Sequence, residues 1–387
     1  MDQSSPIAAS FEPAAPGAAR TLGGPTLALV TSRFQLAEPA DAAPDAWREA
    51  LTQLLAWLGV ETEFLTPARP SGRLARMADW AASAGQLAAP APVFAPWIGW
   101  SPSAFQHGGL AGLPQAQYVA SYLIDHARGA PAARGGTDIV LMSPHPSVCL
   151  AEAVGDVPTP RAAVLRTMIR AARAEGRERV AIICHARQRN AVARQLLAAG
   201  KSLTRDGLEL DILTIEDALV PLMSGAVLWD AIIAMPDLRS TVFTVLAETS
   251  GVRRAWPMLW FGRSLQLVTS ETPGEGMSRL PLDAPALIHA LALTLHEAGM
   301  GRAAWRLHDA WARLRDSGVT TTGRGTDAPY VTAVADDAFL GMLCREGAVS
   351  KRPQMPWRAL KNAEIANSGG HLPTLRVVVS SGATPNI

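Results

Sequence analysis

The chain has 387 residues, of which 48% are hydrophobic and 18% charged, with a formal net charge of +1. A chain of that length buries a large core in one or two domains. The even charge balance argues against nucleic acid or an anionic membrane surface as a partner. No apolar run reaches the length of a membrane span, and no charged, apolar, cleavable leader is read at the start. The cysteines Cys149, Cys184 and Cys344 have no metal-ligand spacing and do not pair off evenly, so a reducing, cytoplasmic location is expected.

In chain order, Met1–Pro25 is rich in Ala, Pro and Ser and reads as a disordered tail. Residues 26–31 read as a strand, followed by the turn Ser32-Arg33-Phe34-Gln35-Leu36, which has no glycine. Residues 45–59 read as an amphipathic helix with Trp47, Leu51, Leu54, Leu55 and Leu58 on one face, ended by Gly59. A strand over 60–65, a helix over 74–83 and a Pro/Ala linker over 88–96 follow. Residues 101–112 form a glycine-rich loop that contains His107, read as a surface residue. Arg128 and Arg134 read as solvated loop arginines.

A strand over 137–142 ends in Ser143-Pro144-His145-Pro146-Ser147. The end of a strand is a favourable place for chemistry, although a plain turn also explains His145 between two prolines. Residues 161–175 form a strong helix closed by Gly176, and residues 179–184 form a buried strand that ends at His185. A strand over 210–215 leads to Glu216 and Asp217, acids suited to the start of a helix over 218–223. Residues 229–235 read as a buried strand broken at Met235-Pro236-Asp237, and 240–250 as the next helix.

Trp256 and Trp260, beside Arg253 and Arg254, suit either a stacked planar ligand or ordinary core packing. A strand over 265–268 follows. Asp283 is the expected N-cap of an apolar helix over 285–298, in which His289 and His296 share a face without a third ligand. A helix over 302–317 and a last helix over 331–340, with Asp336 and Asp337 in its first turns, complete the pattern. Residues 348–387 read as a tail.

The run Ile215-Glu216-Asp217-Ala218, then Trp229-Asp230-Ala231-Ile232-Ile233, then Met235-Pro236-Asp237-Leu238-Arg239-Ser240-Thr241-Val242-Phe243-Thr244-Val245 resembles the isocitrate/isopropylmalate dehydrogenase family, the metal-dependent β-decarboxylating dehydrogenases. The resemblance extends over about residues 26–345 and lies in element order and spacing. It implies an α/β fold with a central mixed sheet flanked by helices. It further implies a large domain from 26–97 plus 248–347 and a smaller dimerisation domain from 98–247.

The family's chemistry does not carry over. Its two metal-binding aspartates fall on Thr241 and Val245, its catalytic lysine on His185 and the following asparagine on Arg187. The nearest lysine is Lys201, and no tyrosine occurs between Tyr122 and Tyr330. The substrate arginines give way to Gly108-Gly109-Leu110, although Arg128 and Arg134, if not solvated loop residues, could replace them. The loop for the adenine end of a dinucleotide reads Ser270-Glu271-Thr272-Pro273-Gly274-Glu275-Gly276.

The resemblance therefore implies a catalytically degenerate relative, with no cofactor expected, that serves as a binding, regulatory or scaffold subunit. It would form a homodimer, or a heterodimer with an active paralogue, and take a small-molecule ligand. The alternative is a divergent NAD(P)-dependent 2-hydroxy acid dehydrogenase, using Mg²⁺ or Mn²⁺, with a site rebuilt around His185, Glu216, Asp217 and His145. A histidine at position 185 suits general acid/base work at neutral pH, and a plain structural histidine is the simpler account.

Overall fold

The computed structural model describes residues 27–30, 44–60, 62–65, 92–100, 103, 115–125, 137–151, 157–198, 208–224, 228–249, 255–272, 282–322 and 331–345. Both expected tails, the turn at 32–36, the helix expected over 74–83 and residues His107, Arg128, Arg134, Lys201, Arg253, Arg254 and Glu275 lie outside the described residues.

The strands are β1 (Leu27–Val30), β2 (Thr62–Leu65), β3 (Val93–Trp100), β4 (Tyr118–Asp125), β5 (Thr137–Pro144), β6 (Cys149–Leu150), β7 (Thr159–Pro160), β8 (Arg179–Cys184), β9 (Glu209–Thr214), β10 (Ala231–Ala234), β11 (Trp256–Phe261), β12 (Leu265–Glu271), β13 (Val319–Thr321) and β14 (Thr332–Val334). The helices are α1 (Pro44–Leu58), α2 (Ala162–Ala174), α3 (Ala186–Ala198), α4 (Ile215–Met223), α5 (Arg239–Thr249), α6 (Ala284–Glu297), α7 (Gly301–Asp316) and α8 (Asp336–Leu343).

Ten strands form one mixed sheet in the order β2-β1-β3-β12-β11-β4-β5-β10-β8-β9. The strands β2, β1, β3 and β12 run parallel to one another, as do β5, β10, β8 and β9. Antiparallel pairing of β11 with β12 and of β4 with both β11 and β5 joins these two sets. This is the α/β fold with a central mixed sheet that the sequence implies.

Local chemistry explains most of these elements. β8 and β10 are short apolar runs without polar alternation, the pattern of strands covered on both faces, and every residue from Val180 to Cys184 and from Ala231 to Ala234 is buried. α2 places Val164, Leu165, Met168, Ile169 and Ala172 on its buried face at three- and four-residue spacing. It stops because Gly176 takes φ 71°, a left-handed turn that a side chain would strain. α6 is buried along Ala284–Leu295 and starts where the Asp283 side chain accepts a hydrogen bond from the Ala286 N–H at 2.9 Å. Asp336 adds a second tie by accepting from the Ala284 N–H.

Several expectations change. The last helix, expected over 331–340, starts only at Asp336, because Thr332–Val334 pairs with Val319–Thr321 as strand β14. β3 begins at Val93, inside the stretch read as a linker. Pro96 is accommodated there because β3 pairs with β1 only at Val93 and Phe94, and its register with β12 shifts between Phe94 and Gly99. The central strands β4 and β11 had no expected counterpart. Tyr118–Ile124 and Trp256–Trp260 are buried on both faces, so they lack the alternation that marks a half-exposed strand.

The Asp283 cap is testable. Asp283→Ala should lower the unfolding free energy by about 1 kcal/mol in urea denaturation, the ordinary value of an N-cap. An unchanged midpoint would show that Asp336 alone secures this helix start.

Candidate functional site

Four parallel neighbours, β5, β10, β8 and β9, end along one edge of the sheet. Their registers align Met142 with Ile233, Ala234 with Ile183, and Cys184 with Thr214. The residues that follow are His145, Met235-Pro236-Asp237, His185 and Ile215-Glu216-Asp217. All four site residues expected from the sequence therefore leave the sheet at the same carboxyl-terminal edge, the usual location for ligands in α/β folds.

Of the four, His185 is the one paired with an ionisable group among the described residues. Its Nε2 lies 2.6 Å from Asp237 Oδ2, and both side chains are about two-fifths exposed, at 38% and 40%. The His185 backbone N–H donates to Gln188 Oε1 at 2.9 Å, and the buried Gln188 donates from Nε2 to the Pro158 carbonyl at 2.7 Å. These bonds hold the His185 backbone in place, while the side-chain pair stays open to solvent. A carboxylate-oriented imidazole of this kind has the geometry of a general acid or base. Sequence alone marks Asp237 only as part of a strand break.

Glu216 and Asp217 are exposed in the first turn of α4. The Asp217 N–H donates to the Thr214 hydroxyl, an N-cap bond. Among the described residues, no hydrogen bond or ion pair joins either acid to His185.

His145 is buried. Its Nδ1 accepts from the Ser147 N–H at 3.2 Å and lies 2.7 Å from the Ser147 hydroxyl, capping the short 3-10 turn Pro146–Val148. With Nδ1 accepting, the proton of the neutral ring sits on Nε2, which is buried without a partner. Burial lowers the His145 pKa to about 4, so the ring is neutral at physiological pH. The structure thus makes His145 a turn cap packed near Trp260, with ring centroids 6.5 Å apart, rather than a partner of His185.

The thiols near this edge are not activated. Burial raises Cys149 to about 12, with the Asp237 charge adding to the shift, and raises Cys184 to about 11. Both remain protonated at neutral pH and so are poor nucleophiles.

Beneath the edge lies a fully buried ion pair. Arg239, the first residue of α5, donates from Nε to Glu271 Oε1 at 2.9 Å and from an Nη to Glu271 Oε2 at 2.6 Å. It also donates to the hydroxyls of Ser121 at 2.8 Å and Ser143 at 3.0 Å, and the Ser121 hydroxyl donates to Glu271. The side chains of Arg239 and Glu271 are both 0% exposed. Glu271, which the resemblance assigns to the altered dinucleotide loop, thus balances an arginine in the core.

A second network lies toward the opposite edge. Arg177 is buried against Glu175 and Asp138 and donates to the Asp138 and Asp230 carbonyls. The Tyr122 hydroxyl donates to Glu175. Burial raises the Glu175 carboxyl, while Arg177 and the Tyr122 bond pull it back down.

Among the described residues, those at the positions that the resemblance assigns to a metal do not fit one. At the two metal positions stand Thr241, an exposed hydroxyl, and Val245, an alkyl side chain, while Asp237 engages His185. Among the described residues, no group of three His, Cys, Asp or Glu side chains is placed to hold a metal ion. The described part of the dinucleotide loop is Ser270, Glu271 and Thr272, all buried.

No protein-family model and no curated protein sequence matches the chain. Solved structures do. The TT0538 protein from Thermus thermophilus aligns with a TM-score of 0.57 at 13% identity, over 85% of this chain and 69% of that one. Isocitrate dehydrogenase from Methylococcus capsulatus aligns with a TM-score of 0.52 at 13% identity, over 82% of this chain and 98% of that one. At this identity the likeness establishes a shared fold. Among the described residues, no helix is long and apolar enough to cross a membrane.

The buried charges of this region lend themselves to two tests. Arg239→Ala leaves the Glu271 carboxylate buried without its partner and should cost about 3–5 kcal/mol in chemical denaturation, whereas Arg239→Met combined with Glu271→Leu should cost far less. The second test concerns acid. The folded pKa of His145, about 4, lies below its unfolded value, so between pH 6.5 and 4 the unfolded chain binds a proton that the folded chain refuses. Stability is lost as pH falls through that window, by on the order of 3 kcal/mol from this group. His145→Asn can keep the cap without titrating, and its denaturation midpoint should fall less than the native protein's between pH 7 and 4; equal falls would contradict the assignment.

Proposed function

We propose that this protein uses an isocitrate dehydrogenase fold for binding, as a regulatory or scaffold subunit, without the metal-dependent oxidative decarboxylation that the fold supports elsewhere. The observation that carries this reading is the bond between Asp237 and His185. It occupies the one carboxylate in the stretch 235–245, where the resembled enzymes place metal ligands, and leaves Thr241 and Val245 at the ligand positions themselves. Without two carboxylates, little in this stretch offsets the charge of a divalent ion or stabilises an enolate.

The reading includes a two-domain arrangement, with residues 98–247 as the assembling part, and a cytoplasmic location. Its partner is a second copy or an active paralogue. Support for assembly comes from α4 and the segment near it, where Val220, Met223 and Leu228 are 76%, 66% and 53% exposed. Large apolar side chains gathered on a surface mark an association face.

A second reading rests on the same His185–Asp237 pair. Its geometry suits proton transfer, and its exposure leaves it accessible to a small molecule. In this reading the protein is a divergent 2-hydroxy acid oxidoreductase that works from a rebuilt site.

Thermal unfolding with NAD⁺, NADP⁺, Mg²⁺, Mn²⁺ and a panel of 2-hydroxy di- and tricarboxylates separates the two. The first reading expects the melting temperature to stay unchanged with each dinucleotide and metal. A rise of a few degrees with a dinucleotide, as expected for ligand well above its Kd, favours the second reading if His185→Gln abolishes it. For assembly, the native protein should elute as a dimer and Val220→Glu with Met223→Glu as a monomer in light-scattering chromatography; a monomeric native protein would remove the association face from the proposal.

A further inference from the structure

The pair His185–Asp237 is short, yet its two side chains are 38% and 40% exposed. An exposed ion pair usually gains little, because each partner loses side-chain freedom in holding one geometry and water screens the charges. Such a pair persists in one arrangement when the backbone places both groups beforehand. On the His185 side the placement is visible: the Gln188 side chain holds the His185 N–H, and the opposite end of Gln188 is bonded to Pro158.

On the Asp237 side the local bonds are fewer. Asp237 lies in the four-residue link Met235–Leu238 between β10 and α5. The Met235 N–H bonds to the Ile183 carbonyl, and the Leu238 N–H closes back on Met235. Met235, Pro236 and Leu238 are buried as well, and the link runs directly into the first residue of α5. That residue is Arg239, whose guanidinium bonds to Glu271 on β12, Ser121 on β4 and Ser143 on β5. Three strands thus anchor one side chain two residues after Asp237. A planar guanidinium with directed donors resists rotation in a way that an apolar side chain of equal volume does not.

We infer that Arg239 is the positioning residue of the His185–Asp237 site, and that its buried fork to Glu271 sets the start of α5 and hence the place of the Asp237 carboxylate. The inference rests on taking His185–Asp237 as the site. It holds whether that site binds or catalyses, because it concerns geometry and not turnover.

The test is a double-mutant cycle measured in two backgrounds. In the native background, the unfolding constants of His185→Ala, Asp237→Ala and the double variant give the coupling between the two residues. The same cycle is then run in the Arg239→Met/Glu271→Leu background, which removes the fork without leaving a buried charge. Native coupling should be about two- to five-fold in the unfolding constant, the range of a partly exposed pair, and should fall to none in the exchanged background. A loss of overall stability alone would move all four proteins of a cycle together and leave the coupling unchanged.

Coupling that survives in the exchanged background would overturn the inference and assign the placement to apolar packing of α5. Absence of coupling in the native background would overturn it as well, since there would be nothing to position. If the exchanged protein does not fold, Ser143→Ala with Ser121→Ala removes two of the fork's bonds while keeping the ion pair. Coupling should then be reduced, and unchanged coupling would count against the inference. Ligand binding by the thermal assay is read separately, so failure of the functional reading and failure of this one are distinguishable.

Discussion

A fully buried arginine is costly in a sheet protein unless every charge and donor around it is answered. Here Glu271 neutralises Arg239, and two serines on neighbouring strands complete the bonding. Removing both charges from water carries a penalty of several kcal/mol per ion, so the pair adds little net stability over apolar residues of similar shape. Its value lies in geometry. The observed arrangement of α5, β4, β5 and β12 satisfies these groups together, and it puts the start of α5 at the edge where the candidate site lies.

The same logic recurs at Arg177. Burial disfavours its charge, but the carboxylates of Glu175 and Asp138 outweigh that cost and hold the guanidinium above its ordinary pKa. This second network links the end of α2 to the first residues of β5 and to the residue that precedes β10. The two networks tie the parallel strands near each end, between which the apolar runs of β8 and β10 pack tightly. The core is therefore apolar in area and polar at its fixed points.

The candidate site lies where four parallel strands end on one edge of the sheet. The fold is shared with the Methylococcus capsulatus enzyme, and the likeness spans nearly all of that chain. What stands at that edge is an imidazole–carboxylate pair, a buried capping histidine and two protonated thiols. Fold similarity at 13% identity carries architecture without chemistry, because packing tolerates many side chains of similar size whereas metal and phosphate binding tolerate few.

Much of the architecture was legible in the residues themselves. The periodicity of α2, the Gly176 stop, the Asp283 cap and the apolar runs of β8 and β10 are local signals, each readable within a few positions. Even the shared edge of His145, His185 and Glu216 followed from where strands end. β4 and β11 escaped because strands covered on both faces lose the alternation that distinguishes them from other apolar runs. The pairings were beyond reach for a different reason. Asp237 meets His185 across 52 positions, Glu271 meets Arg239 across 32, and Ser121 meets Arg239 across 118. A glutamate two residues from a proline looks solvated in sequence; that Glu271 is buried depends on a cation delivered by a distant helix start. Local sequence sets which backbone shape each segment prefers and which face is apolar. Which charges are removed from water together is decided only when the sheet brings the segments side by side.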